Sequence, residues 1–258
     1  MSQVTFAVST LGCPGLPIDR VAALLRRHGV PGVQLRCAAD EPVHTGIDAA
    51  DRVAVRRTLE DDGIALVGLA TYVRLSEGAP GLTDHLELAR DLGAPALRIM
   101  PGGKSGLVGH DLVESAARTL SESAAEARAA GVRLLVETHD AFLRGADLHR
   151  LLAAAGAGPE VGAIWDALHP WRAGEPPSET AAALGPWLAE VQIKDVASPE
   201  DRTPLVPGTG AVPLREVLSG YTGRVVLEHE ARWYPDAAPI EEAIRGAQRV
   251  LGGTASHA

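Results

Sequence analysis

Eight segments of the sequence have the pattern of a short buried β-strand, and each is followed by a segment with helical periodicity. The strand segments are runs of branched apolar residues bounded by glycine, proline or polar residues, which is typical of strands buried on both faces. Pro17, Asp48 and Asp111 mark helix starts, and Gly63 and Gly131 mark helix ends. Strands that alternate with helices indicate a parallel sheet.

These signals set the boundaries of each segment. The predicted strands are Val4–Ser9, Gly32–Arg36, Ile64–Ala70, Ala96–Met100, Val132–Asp140, Val161–Asp166, Leu188–Lys194 and Arg224–Glu228. The predicted helices are Pro17–Gly29, Asp48–Asp61, Leu82–Leu92, Asp111–Ala130, Gly145–Ala155, Glu179–Leu184, Pro213–Leu218 and Ile240–Leu251, and the tail Gly252–Ala258 is expected to fray. Eight such pairs in 258 residues, with no linker, predict one α/β domain over residues 1–258, a (β/α)8 or TIM barrel.

Composition indicates an ordinary globular protein and argues against some partners. Hydrophobic residues make up 46% of the chain and charged residues 22%. The formal net charge of −9 opposes binding to a nucleic-acid backbone. No signal-peptide pattern or membrane-spanning apolar run is present, which predicts a cytoplasmic protein that acts on a small molecule, with homo-oligomerisation left open. Cys13 and Cys37 lack metal-ligand spacing and are expected to be free thiols.

Four of the predicted strands carry an oxygen-bearing side chain near the carboxyl end. A buried carboxylate must be neutralised, paired or bound to a metal, because an unpaired buried charge is too costly. In a (β/α)8 barrel the carboxyl ends of all the strands meet at the active-site face. We therefore predict one divalent-metal site there. Its expected ligands are Glu137, Asp166, Gln192 and Glu228.

The chemistry of this ligand set predicts the type of metal. Three carboxylates and one amide oxygen favour Mn²⁺, with Mg²⁺ or Co²⁺ as alternatives, over zinc, which prefers nitrogen and sulfur. Lys194 lies two residues beyond Gln192, and His139 two residues beyond Glu137, so each pair shares one face of its strand. His169 follows strand six where the strand becomes a loop. Lys194, His139 and His169 are therefore candidates for binding the substrate.

Two loops stand out by length or composition. Ala197–Val212 is rich in proline and glycine and is predicted to be a mobile lid over the strand-seven end of the pocket. Pro101–Gly106 contains Gly-Lys-Ser after a strand, but a phosphate-binding loop needs glycine where Arg98 stands. A nucleotide-binding loop is therefore not expected, although Lys104 and backbone N–H groups could contact an anionic substrate group.

The four strand ends also carry a family resemblance. The motifs Glu137-Thr138-His139-Asp140, Trp165-Asp166-Ala167-Leu168-His169-Pro170, Val191-Gln192-Ile193-Lys194-Asp195 and Leu227-Glu228-His229-Glu230 resemble those of the sugar phosphate isomerase/epimerase superfamily. These xylose-isomerase-like barrels include ketose 3-epimerases, hydroxypyruvate isomerase and inosose dehydratase, and the resemblance covers essentially the whole chain. Epimerases have histidine where this chain has Gln192, hydroxypyruvate isomerase has glutamine, and the following Lys194-Asp195 is more similar to sugar and inosose members.

The resemblance implies a metal-dependent isomerase or epimerase with roles for particular residues. Glu137 and Glu228 would bind the metal and act as acid and base, with an enediolate stabilised between two proton transfers at the carbon next to a carbonyl. Return of the proton to the opposite face gives epimerisation, and delivery to the neighbouring carbon gives aldose–ketose isomerisation. His169 would bind a substrate oxygen. Arg36, at the end of strand two, and Arg202, in the long loop, are candidates for binding an acidic or phosphate group.

Three other functions fit parts of the sequence. A lyase of the inosose dehydratase type would use the same metal and base to expel a hydroxyl group. An apurinic-site endonuclease shares the barrel, but this chain is acidic and lacks histidines at the ends of strands three and four. A non-catalytic sugar-binding barrel has no need for two flanking glutamates. The isomerase or epimerase interpretation is therefore favoured.

Overall fold

The computed structural model describes residues 4–104, 108–156 and 158–254, and its eight parallel strands close into a barrel. Each strand pairs with the next along the chain, and the last pairs with the first. The strands are β1 (Thr5–Ser9), β2 (Gly32–Arg36), β3 (Ala65–Arg74), β4 (Ala96–Met100), β5 (Arg133–Glu137), β6 (Val161–Asp166), β7 (Leu188–Ile193) and β8 (Arg224–Leu227). The predicted (β/α)8 barrel is thereby confirmed.

Helices cover the outside of this barrel, in the connections between the strands and after the last strand. They are α1 (Ile18–Arg27), α2 (Ala49–Asp61), α3 (Leu82–Leu92), α4 (His110–Ala130), α5 (Gly145–Ala155), α6 (Leu168–Arg172), α7 (Pro177–Leu184), α8 (Leu214–Val217) and α9 (Ile240–Thr254). Helix α2 begins where the Asp48 carboxylate accepts the Asp51 N–H at 2.9 Å. Helix α4 ends at Gly131, whose φ of 70° suits a residue without a side chain.

Strand β5 shows how the sequence pattern orients side chains. Leu134 and Val136 belong to the large core that the strands share with the helices. Leu135 instead packs with Ala96 in a separate small cluster. Because successive strand residues point to opposite faces, Glu137 shares the barrel-interior face with Leu135. The carboxylate is therefore held inside the barrel at the carboxyl end of the strand.

Several boundaries differ from the sequence prediction. Strand β3 continues to Arg74 rather than ending at Ala70, because its pairing with β4 shifts register between these two residues. Helix α6 was not predicted and occupies a segment that was expected to be a loop. Helix α9 extends to Thr254, so the first part of the predicted frayed tail is helical. Residues 255–258, and residues 105 and 106 of the glycine-rich loop, lie outside the described residues.

Cys13 and Cys37 are free thiols, as predicted. Burial raises the pKa of each thiol to about 12, so both are protonated and poorly nucleophilic near neutral pH. Within the described ranges, no helix combines the length and the apolar character needed to cross a bilayer. The cytoplasmic location and the oligomeric state stay predictions.

The predicted lid, Ala197–Val212, is anchored over its second half. The buried Asp195 carboxylate accepts backbone N–H groups of Gly208 at 2.8 Å, Gly210 at 2.9 Å and Val212 at 3.1 Å. Three hydrogen bonds to one buried carboxyl group fix this stretch against the end of β7. Any lid movement is therefore expected in the first half of the loop, residues 197–204.

We expect Asp195→Ala to destabilise the protein by about 2–4 kcal/mol, because it leaves buried N–H groups without an acceptor. The measurement is urea denaturation. Asp201→Ala is the control, since exposed Asp201 lies in the same loop and accepts the Thr203 N–H; it should cost about 0.5 kcal/mol or less. Equal losses for the two variants would show that Asp195 does not anchor the loop.

Candidate metal centre and active site

The structure brings the four predicted oxygen ligands together at the carboxyl end of the barrel. Glu137 ends β5, Asp166 ends β6, Gln192 lies on β7 and Glu228 follows β8. All four are buried, with at most 2% of each residue exposed. One carboxylate oxygen from each of Glu137, Asp166 and Glu228 lies within 4.8 Å of the others. The barrel thus brings three carboxylates from distant sequence positions into one cluster, and the strand pairing places Gln192 beside Asp166.

Two of these oxygens, Glu137 Oε1 and Gln192 Oε1, have no hydrogen-bond donor among the described residues. Glu137 Oε2 and Asp166 Oδ2 are approached by the cationic groups of Arg98 and Lys194, respectively. A buried acceptor without a donor costs about 1–3 kcal/mol, so native proteins rarely keep several in one place without a bound ion or water. Carboxylate and amide oxygens are the ligands that Mn²⁺ and Mg²⁺ prefer. These residues therefore fit a divalent ion.

Two cationic side chains reach into the same cluster. Arg98, on β4, places Nη1 at 3.1 Å from Glu137 Oε2 and 3.3 Å from Glu228 Oε1. The Lys194 Nζ lies 2.7 Å from Asp166 Oδ2 and also contacts the Glu228 carboxylate. The strand periodicity predicted that Lys194 points into the cavity, whereas Arg98 was not among the predicted site residues. Two cations thus offset most of the charge of three carboxylates.

The surroundings separate the pKa values of the two glutamates. Burial raises the pKa of Glu137 to about 7, although the Arg98 guanidinium opposes this shift. Burial acts in the same direction on Glu228, but Lys194 and Arg98 together hold its pKa below the ordinary value. In the metal-free protein, Glu228 is therefore ionised at pH 7, whereas Glu137 is partly protonated.

Two histidines stand beside the cluster with defined tautomers. The His169 Nδ1 donates to the Thr138 carbonyl oxygen at 2.5 Å, and the His139 Nδ1 donates to the Asp140 carboxylate at 2.9 Å. Burial lowers the pKa of His169 to about 4, so its imidazole is neutral at pH 7 and Nε2 is left as an acceptor. With Glu137, the two rings form a second group whose ligand atoms lie within 4.8 Å of one another.

A cleft of about 300 Å³ opens beside these histidines. Its lining residues are Gly103, His139, Asp140, Leu143, His169, Arg172 and Arg202. Arg172, on the unpredicted helix α6, donates to the Pro199 carbonyl oxygen of the lid, and neither it nor Arg202 has a carboxylate within 4 Å among the described residues. Burial lowers the pKa of Arg172, and the charge of nearby Arg202 lowers it further. Two like charges thus line the mouth of one cleft, which favours an anion there.

Arg36 is not in this cleft, which corrects its interpretation as an anion-binding residue. It does lie at the end of β2, but its Nη1 is 2.6 Å from Glu41 and 2.9 Å from Asp40. Its Nε donates to the Tyr72 hydroxyl at 2.8 Å. Because Glu41 is itself buried, this ion pair fixes the loop after β2 and already neutralises the guanidinium.

The sequence contains a signal for the role of Arg98, although above the residue served only to exclude a phosphate-binding loop. Arg98 interrupts an otherwise apolar strand, Ala96–Met100, and a charge inside a buried strand needs a partner just as Glu137 does. Arg172 had no such signal. Its place depends on helix α6, whose short sequence Leu168–Arg172 has too few residues to show periodicity.

Comparisons with known proteins agree with this architecture. The probable 3-DHS dehydratase AsbF from Bacillus anthracis is 15% identical, with a TM-score of 0.79 over 96% of this chain and 99% of that one. D-psicose 3-epimerase from Clostridium cellulolyticum H10, solved with D-tagatose, is 14% identical, with a TM-score of 0.75 over 98% and 99%. The IolI protein, solved with a zinc atom, is 17% identical, with a TM-score of 0.77 over 98% of each chain.

These identities establish a shared fold. No curated protein matches the sequence significantly. The model of one protein family, however, matches residues 22–251, which includes every strand from β2 to β8 and all of the clustered side chains. The chain therefore belongs to the family of xylose isomerase-like TIM barrels.

Proposed function

We propose that this protein is a divalent-metal-dependent enzyme that isomerises or epimerises a sugar, a sugar phosphate or a short hydroxy-keto acid. The observation that carries this proposal is the pair of buried glutamates, Glu137 and Glu228, which approach one guanidinium nitrogen of Arg98 from two strands. A binding protein has no need for two carboxylates within reach of the same small ligand. An enzyme that moves a proton between two positions of its substrate needs two such groups, one to take the proton and one to return it.

The metal would be held by the four oxygen side chains of Glu137, Asp166, Gln192 and Glu228. When bound, a divalent ion supplies Lewis-acid polarisation of a carbonyl and a neighbouring hydroxyl. Mn²⁺ is proposed as the physiological ion, with Mg²⁺ or Co²⁺ as alternatives, on the basis of the hard oxygen ligands.

The chain's own residues would then move the proton and hold the substrate. One glutamate takes the proton from the carbon beside the carbonyl, and the other returns it. The neutral His169 accepts a hydrogen bond from a substrate hydroxyl through Nε2, because its Nδ1 is committed to the Thr138 carbonyl. His139 and Lys194 are proposed to contact further substrate oxygens.

The cleft mouth favours a substrate with an anionic group. Arg172 and Arg202 line it without carboxylate partners among the described residues, and a phosphate or carboxylate would relieve their mutual repulsion. Arg202 was predicted for this role from sequence, and Arg172 adds a second guanidinium. A phosphorylated sugar or a hydroxy-keto acid is thereby preferred over a neutral sugar.

One further observation favours a lyase as the second candidate. The buried Lys194 ammonium touches both Asp166 and Glu228, so a cationic hydrogen-bond donor is already next to the carboxylates. Although burial opposes the shift, the carboxylates hold the pKa of Lys194 well above its ordinary value. Lys194 would therefore stabilise a departing hydroxyl by a hydrogen bond, and the glutamate that took the proton from carbon would give it to that hydroxyl. A dehydration of a hydroxy-ketone would use the same glutamate base.

We expect the metal-loaded protein to exchange the proton beside the carbonyl of its substrate with solvent. In the test, the Mn²⁺-reconstituted protein is incubated in D₂O with candidate substrates. These are keto-sugars, each paired with its phosphate, together with inososes and short hydroxy-keto acids. Proton NMR would show deuterium incorporation, and mass spectrometry would separate isomers from products that have lost water. Exchange should disappear when the metal is removed and should return with Mn²⁺. Undiminished exchange in protein shown to be metal-free, or no binding of any divalent ion, would refute the proposal.

A further inference from the structure

The amide of Gln192 has to be oriented for the proposed metal site to work. A glutamine side chain ends in one oxygen, which can bind a cation, and one NH₂ group, which cannot. Nothing in the side chain itself selects which of the two faces the carboxylates. Among the described residues Oε1 has no partner and is buried, and the strand pairing places Gln192 directly beside Asp166 of the cluster. Some feature outside the cluster must therefore hold the NH₂ group on the other side.

A buried polar layer lies next to Gln192 and supplies that feature. Glu190, two residues earlier on β7, is only 1% exposed. Its Oε1 accepts the Gln34 Nε2 at 2.8 Å and the Gln192 Nε2 at 3.4 Å, and the Gln192 Nε2 also reaches the Gln34 Oε1 at 3.4 Å. Its Oε2 lies 3.5 Å from the Arg224 guanidinium. Both amides thus turn their nitrogens toward one carboxylate.

The surroundings of Glu190 favour this orientation, because the NH₂ groups of Gln34 and Gln192 donate to Oε1 while the Arg224 guanidinium faces Oε2. A carboxylate can only accept hydrogen bonds, so a glutamine that presented its oxygen to Glu190 would place two acceptors against each other in a buried layer. Arg224 faces the other carboxylate oxygen, so it does not replace Gln192 as a donor to Glu190 Oε1. The Gln192 oxygen is left with one direction, into the cluster formed by the carboxylates.

We propose that Glu190 is a positioning residue, assisted by Gln34, that makes Gln192 an oxygen ligand of the metal. This inference rests on the metal site of the proposed function. Glu190 does not touch the ion or the substrate in this scheme, and it acts only through the amide of Gln192. Partners that orient a ligand in this way typically contribute about 10–100-fold to metal affinity.

A double-mutant cycle tests this proposal by the Mn²⁺ dissociation constant, measured by calorimetry without any substrate. Glu190→Gln keeps the size of the side chain but adds an NH₂ group that can donate to the Gln192 oxygen. It should weaken Mn²⁺ binding about 10–100-fold in the parent. In the Gln192→Leu background, where there is no amide to orient, the same change should alter the dissociation constant by about twofold or less.

Each outcome decides a separate point. Equal weakening in both backgrounds would mean that Glu190 acts through its charge or through general packing, and would overturn the proposal. Unchanged binding in the single variant would also overturn it. A parent protein that binds no Mn²⁺ would instead refute the metal site of the proposed function. If Glu190→Gln does not fold, Glu190→Asp in the same cycle keeps the charge and withdraws the acceptor from Gln192, with the same pattern expected.

Discussion

Glutamine in place of Glu137 or Glu228 is expected to lower turnover by about 10²–10⁴-fold, with a much smaller effect on substrate binding. Each change keeps an oxygen that can bind the metal but removes the basicity that the proposed proton transfer requires. Any loss of metal would add to the effect, since the Lewis-acid contribution falls with occupancy. The measurements are steady-state kinetics and solvent exchange of the substrate proton, with metal content determined for each variant.

Position 192 provides the control for these two variants. Its amide has no useful basicity, so Gln192→His, which introduces the ligand type of the epimerases, should retain measurable activity and move metal preference toward softer ions. If fully metallated Glu137→Gln and Glu228→Gln both exchange the substrate proton at the parent rate, neither glutamate is the base and the proposed mechanism is wrong.

Lys194→Met is expected to destabilise the metal-free protein by about 3–5 kcal/mol, which is typical of removing one partner from a buried ion pair. The Lys194 ammonium touches the carboxylates of Asp166, Glu228 and Glu230, of which the first two are almost completely buried. Without it, these charges lose their nearest counter-charge in a region that water does not reach. Chemical denaturation of protein treated with a chelator gives the free energy of unfolding.

Lys104→Met is the matched control, because it makes the same chemical change at an exposed lysine. It should change stability by about 0.5 kcal/mol or less. Mn²⁺ should restore more stability to the Lys194→Met variant than it adds to the parent, since the ion replaces a missing positive charge. A loss below about 1 kcal/mol would show that Lys194 does not balance the cluster.

The fold could be predicted in large part because each strand carries its own signal. Gly131 marks the end of a helix, and the branched apolar run before Glu137 marks the strand that follows. The same pattern of signals recurs around the barrel. Parallel closure then places the four oxygen side chains at one rim without any knowledge of their contacts. The end of β3 was missed because the shift in register that prolongs it depends on β4 rather than on the local sequence.

The site was harder to predict where it depends on pairing between loops. Arg36 has the same sequence signal as Glu137, a charge at the end of an apolar strand. Its partner, Glu41, lies in the following loop, whose path no local pattern specifies. Arg98 interrupts an apolar strand in the sequence, but its carboxylate partner becomes evident only when β4 and β5 are seen side by side.

The positive charges built into the carboxylate cluster bear on how a cell would supply the metal. Because Arg98 and Lys194 already stand among the carboxylates, the barrel can be completed before any ion arrives. Under the proposed function, metallation would then be a late event on a finished protein, and the free-ion levels of the surrounding compartment would select the occupant. Zinc binds protein ligands more tightly than manganese does. Protein produced in a zinc-rich medium would therefore carry zinc, and its activity should be assayed only after the metal has been exchanged.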